Sequence, residues 1–225
     1  MERRFERELE SLKTSLIKMG SVVEDNVNEA VRALLSGQVD LAQQVIAADG
    51  RVNALEIEID NAVIDLLALQ QPVASDLRFI IAAQKINNDL ERIGDHAVNI
   101  AESVPILSNI GNQELLLDIP RMCSIALEML KDALDGFIML DTGLARKVLG
   151  QDDVIDELNR KMTNQVIAQL RDGKQTIECG LDLIRVSRNL ERVADLATNI
   201  AEEVIFYTQA RVVKHHAEEL KKRND

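Results

Sequence analysis

Four oxygen-bearing side chains recur at one spacing in two stretches of this chain: Glu91, Asp95, Asn99 and Glu102, then Glu191, Asp195, Asn199 and Glu202. The surrounding residues are near-copies as well, NDLERIGDHAVNI from Asn88 and RNLERVADLATNI from Arg188. On an α-helix turning about 100° per residue, the offsets i, i+4, i+8 and i+11 fall at about 0°, 40°, 80° and 20°. Each set is therefore one stripe of carboxylates and amides. Such a stripe can coordinate a hard or borderline cation or lie as a solvated face. Spacing alone allows both.

A second family of oxygen ligands precedes each stripe. Asp49, Asn53, Glu56 and Asp60 stand in the first half, and Asp152, Asp156, Asn159 and Thr163 at the same offsets in the second. If consecutive helices run antiparallel, two stripes meet along one groove, where opposed carboxylates repel unless a cation lies between them. Eleven residues span about 16 Å of helix, enough for a cluster or several separate ions. The first stripe, with Gln84 and Asn88, contains no Lys or Arg, although i, i+4 basic partners are the ordinary relief for such repulsion. In the second, Arg188 can pair with Glu191. Arg92 and Arg192 point about 100° away and are expected to snorkel or to pair with a neighbouring helix.

Other chemistries find little support. A ferritin-like di-iron site wants Glu-x-x-His, whereas Gly94 and Ala194 stand three residues after Glu91 and Glu191. His96 lies roughly 140° off the stripe and is expected to be a helix-surface histidine, and His215 and His216 lack matching acidic spacing. No nucleophile elbow and no phosphate-binding P-loop motif occurs. The chain is not expected to be an enzyme, and helical metal storage or a ferritin-like di-iron protein is the alternative.

The elements that must position these residues are helices. Phe5, Leu9, Leu12, Leu16, Met19, Val23, Val27, Ala30 and Leu34 advance by threes and fours, predicting one helix from Glu2 to about Leu35, ended by Ser36-Gly37. A second is predicted from Val39 to Leu69, closed by Pro72, and a third from there past Glu102. Pro105 and Ser108 to Asn112 read as the connection between halves. The second half repeats the plan, with helices predicted over Gln113–Leu140, Thr142–Leu170 and Gln175–Tyr207, and Pro120 in an early turn or at a kink. The expected fold is all-α: two tandem three-helix-bundle repeats of six long helices, over residues 1–107 and 113–210, with a charged tail from 211 to 225.

Apolar residues at 46% and charged residues at 28% suit a globular chain, and aromatic residues at 2% leave its core to aliphatic side chains. The net charge of −12 argues against nucleic acid as a partner and favours cations or basic protein patches. No apolar run approaches the roughly 20 residues of a membrane span, and the first residues lack a secretory leader, so a cytoplasmic location is expected. Cys123 and Cys179 read as buried or inert thiols.

LERIGDHAVNIAE from Leu90 and LERVADLATNIAE from Leu190, set in two three-helix repeats, resemble the PhoU family of phosphate-transport accessory proteins over essentially the whole chain. The resemblance implies a cytoplasmic, often dimeric regulator that bears metal ions, whether Fe, Mn, Zn or Mg, on E(D)-x-x-x-D motifs. It also implies action on the ATP-binding subunit of the phosphate-specific ABC transporter and on the phosphate-sensing histidine kinase. Through these it implies negative regulation of phosphate-starvation signalling, with membrane association only through partners. Carried over by position, Glu91 with Asp95, Glu191 with Asp195 and Asp152 with Asp156 match the motif. Asp49 with Asn53 lacks one carboxylate, so metal occupancy in the two halves is expected to differ. Asn99 and Asn199 complete the candidate ligands, and Glu102, Glu202, Glu56 and Asp60 extend the set.

Overall fold

The apolar spacing of the first 36 residues resolves into one helix in the computed structural model, which describes residues 2–72, 74–108 and 118–211. Helix α1 (Glu2–Ser36) buries Leu12, Leu16, Met19, Val23, Val27 and Ala30 on one face. Gly37 ends it at φ +67°, a conformation costly for a side chain with a Cβ, and the Gln38 N–H bonds back to the Ala33 carbonyl at 3.0 Å. Helix α2 (Val39–Gln70) returns antiparallel to α1: Gln70 Nε2 donates to Glu8, and the Ser15 hydroxyl to Glu58. Helix α3 (Ala74–Leu107) runs back along α2 and completes the first three-helix unit.

Pro105 lies inside α3 and does not open the connection between halves. The Ser108 N–H still reaches the Val104 carbonyl at 2.8 Å. An exposed proline in the final turns forfeits little beyond its own N–H bond. Asn109 to Asn112 of the expected connection, the expected start of the fourth helix at Gln113, and the tail with His215 and His216 lie outside the described residues.

The second unit follows the same plan with one interruption. Helix α4 (Ile119–Met139) carries Pro120 in its first turn, where a missing N–H costs nothing. The predicted helix Thr142–Leu170 is divided into α5 (Thr142–Leu149) and α6 (Asp152–Arg171), with Gly150 and Gln151 between. Lys147 on α5 pairs with Glu128 and Asp132 on α4, and Lys161 on α6 with Asp118, so both segments run antiparallel to α4. Helix α7 (Ile177–Gln209) closes the unit; Thr176 caps it by accepting from the Cys179 N–H. The described residues contain seven helical segments and no strand. They realise a six-helix, twofold-repeated bundle whose fifth helix is broken.

The repeats meet chiefly through α3 and α7. Lys85 pairs with Glu203, Asp89 with Asn199, His96 with Asn189 and Ser103 with Asp182. One number rises while its partner falls, so the two helices cross antiparallel near Ile93 and Val193, which are duplicates of each other. One continuous apolar core, mostly aliphatic, runs through both units. No described helix is long and apolar enough to cross a membrane.

Candidate metal centres

The duplicated motif puts Glu91 and Asp95 on the face of α3 that α2 covers, and Glu191 and Asp195 on the face of α7 that α6 covers. In the second repeat, oxygens of Asp156, Glu191 and Asp195 lie within 4.8 Å of one another, all half-buried. Asp152 is close enough to be raised by Asp156 and Asp195. The first repeat assembles Asp49 and Glu56 from α2 against Glu91 and Asp95 from α3, and Asn53 Nδ2 donates to Asp49 Oδ2 at 2.9 Å. Gly94 allows this approach: a Cβ there would stand 3.3 Å from Val52 Cγ1 and 3.7 Å from Asp49 Oδ1.

Burial and crowding hold Glu56, Glu91, Asp152, Glu191 and Asp195 above their ordinary range. Burial raises Glu91 most, then the charges of Asp95, Glu56 and Asp49. Glu56 rises through burial and then Asp60 and Asp95. Asp152 is pushed up to about 6 by burial and the fields of Asp156, Asp195 and Asp153. Glu191 and Asp195 also rise through burial, with like charge adding and Arg192 opposing. Three buried oxygens, Asp49 Oδ1, Asp152 Oδ1 and Glu191 Oε2, have no hydrogen-bond donor. Buried carboxylate oxygens ordinarily find one. The second-repeat cluster, with its orphaned lone pairs, fits a hard or borderline cation, whereas among the described residues the first repeat brings no three carboxylates within 4.8 Å of one another.

The remaining candidates are otherwise engaged. Asp60 accepts from Gln84 Nε2 and Asn87 Nδ2, each at 2.8 Å, and Asn159 Oδ1 accepts from the Ser187 hydroxyl at 2.7 Å. Asn99 and Glu102 face the other repeat, where the Arg185 guanidinium donates to both. Asn199 turns the same way, its amide 3.5 Å from Asp89 Oδ1. Thr163 and Glu202 are half-buried on α6 and α7.

Three expectations about neighbouring residues are corrected. Arg192 stays on its own helix, 2.9 Å from Asp195 Oδ2 and 3.6 Å from Glu191 Oε2, so it partly neutralises the second groove. Arg188 acts on Glu191 only through space. His96 is half-buried between repeats, its Nδ1 2.8 Å from Asn189 Oδ1. Burial lowers the pKa of that imidazole. The sequence reading missed Gly94, Asn87 and Ser187. Only Gly94, set one turn after Glu91, offered a signal, since glycine inside a long helix asks for a packing reason.

A helical protein of two tandem repeats, each with an acidic groove between its last two helices, is the class that fold and site define. The chain belongs to the PhoU family. The PhoU domain matches it twice, over residues 16–104 and 119–204. It is 38% identical over 209 residues to the phosphate-specific transport system accessory protein PhoU homolog of Aquifex aeolicus, covering 93% of this chain and 95% of that one. It is 32% identical over 211 residues to the accessory protein PhoU of Escherichia coli, covering 94% and 88%. Among solved structures, PhoU from Pseudomonas aeruginosa superposes with a TM-score of 0.88 at 36% identity, covering 92% of this chain and all of that one.

Proposed function

We propose that this chain is an accessory regulator of a phosphate-specific transport system, working in the cytoplasm by binding and not by turnover. The observation that carries the reading is the double PhoU match across both repeats, joined to relatives named as accessory proteins of that system. The chain docks the transporter's ATP-binding subunit and a phosphate-sensing histidine kinase, and so restrains the starvation response when phosphate is plentiful. It acts as a homodimer, and the exposed Ile57 and Ile64, two turns apart on α2, supply apolar surface for such contacts.

Asp49, Glu56, Glu91 and Asp95 hold a metal ion in one groove, and Asp152, Asp156, Glu191 and Asp195 in the other. A bound Mg, Mn, Zn or Fe ion would supply the positive charge these opposed carboxylates lack and would attract phosphate or a partner carboxylate. With an ion between them, these carboxylates would tie α2 to α3 and α6 to α7.

Two measurements test the reading. Cells lacking the chain should express a starvation-responsive phosphatase reporter in high phosphate, and restoring it should silence the reporter. Immobilised protein should retain the ATP-binding subunit, and Glu91→Ala/Asp95→Ala should lose it if the groove docks the partner. An unchanged reporter together with no retention overturns the assignment.

A further inference from the structure

A cleft of about 260 Å³ opens where α1, the start of α3 and the end of α7 meet, and none of its lining residues belongs to either acidic groove. Glu6, Glu10 and Asp76 line it, with Lys13 as the one base, and Phe79 and Tyr207 form its aromatic wall. Phe79 is buried and packs against two other rings, 5.4 Å from Tyr207 at 58° and 6.2 Å from Phe137 at 10°. The chain has only four Phe and one Tyr, and three of those five rings meet here. The core around them is aliphatic, so packing alone does not ask for aromatic rings at this place.

No ion pair engages Glu6, Glu10 or Asp76 among the described residues. Asp76 stands in the first turn of α3, where the helix favours its negative charge. The neighbouring Phe206 already hosts a cation, with Lys85 Nζ 5.3 Å from its ring centroid. A half-open cavity with a net negative rim and an aromatic wall suits a planar cation that stacks and donates in a fork. An ammonium has neither plane nor fork.

We infer that this cleft receives the arginine side chain of a partner protein's basic segment, its guanidinium against the Tyr207 ring, which Phe79 backs, and its N–H groups on Glu10 and Asp76. Lys13 weakens the site by like charge. The docking point is separate from the metal grooves and holds whether or not metal is bound there.

Tyr207 is the only tyrosine and no tryptophan is present, so intrinsic fluorescence of the full chain reports on the cleft. The probe is an acetylated five-residue peptide with one arginine among glycines, compared with its neutral citrulline counterpart at physiological salt. Saturable binding is expected, roughly tenfold weaker for citrulline and weaker by a similar factor in Glu10→Gln/Asp76→Asn. Lys13→Met should tighten it severalfold, a gain that no unfolded variant can mimic. Equal affinity for the two peptides overturns the proposal. So does an equal loss in Asp153→Asn/Glu157→Gln on the distant α6, which would mark general charge attraction. Tightening by roughly tenfold in Lys221→Gln/Lys222→Gln/Arg223→Gln would assign the cleft to the chain's own tail and overturn the partner assignment.

Discussion

Glu191 shows at one residue how closely the second groove crowds its carboxylates. Its Oε2 is buried, has no hydrogen-bond donor and shares its space with the oxygens of Asp156 and Asp195. The nearest cation, Arg192, stands 3.6 Å away, too far for a hydrogen bond. Glu191→Gln keeps the shape, removes one like charge and turns an amide toward two acceptors. The metal-free variant is expected to gain about 0.5 kcal/mol from relieved repulsion, while the stabilisation that Mn²⁺ or Mg²⁺ gives the native chain shrinks. Thermal melts in chelator and in metal check both halves of this expectation, and parallel changes in the two conditions would count against a metal role. A second residue-scale contrast lies in the thiols. Burial pushes Cys123 up to about 12, and the side chain is 2% exposed, whereas Cys179 is half-buried. A thiolate-seeking reagent at neutral pH should therefore modify Cys179 first, and Cys123 only when denaturant opens the core. Rapid labelling of both in the native protein would contradict this burial.

At the scale of elements, the long helices and the two stripes are legible in sequence because the apolar positions repeat every three or four residues and the motif is copied. Periodicity fixes which side of a helix a residue occupies but not which neighbour lies there. The stripe on α3 is about 80° wide, and its far edge, Asn99, meets Arg185 of α7 while Glu91 meets α2. The break between α5 and α6 is hidden for a related reason: Ala145, Val148, Ile155, Leu158 and Met162 keep helical spacing across it and are all buried. Gly150 was the only local sign. At the start of α5, Asp141 Oδ1 accepts from the Gly143 and Leu144 N–H groups at 2.7 and 3.3 Å. Asp141→Ala should cost about 1 kcal/mol, read from denaturant unfolding, and Asp141→Ser should recover most of it. A neutral Asp141→Ala would mean that packing alone holds this eight-residue helix.

For the whole molecule, the antiparallel crossing of α3 and α7 makes two repeats into one body, and its polar contacts carry an asymmetry that duplication alone would not produce. Position 103 is serine where position 203 is glutamate, so Ser103 bonds Asp182 while Glu203 takes the ammonium of Lys85 at 2.7 Å. Glu203 is 7% exposed and its second oxygen lacks a donor, whereas Lys85 is 43% exposed along its side chain. The pair is therefore unequal: losing the lysine strands a buried carboxylate, and losing the carboxylate releases an amine that water can solvate. Lys85→Met should destabilise the protein by about 2 kcal/mol, less than for a fully buried pair because solvent screens one partner. Lys85→Met/Glu203→Gln should recover more than half of that loss, because a neutral amide in the same place carries no unpaired charge. Denaturant unfolding of the four corners of the cycle gives the coupling. Since the pair lies between repeats in a shared core, the single variant should lower the midpoint for both together in one transition. Separation into two transitions, with only one repeat shifted, would show that the α3–α7 contact does not couple them.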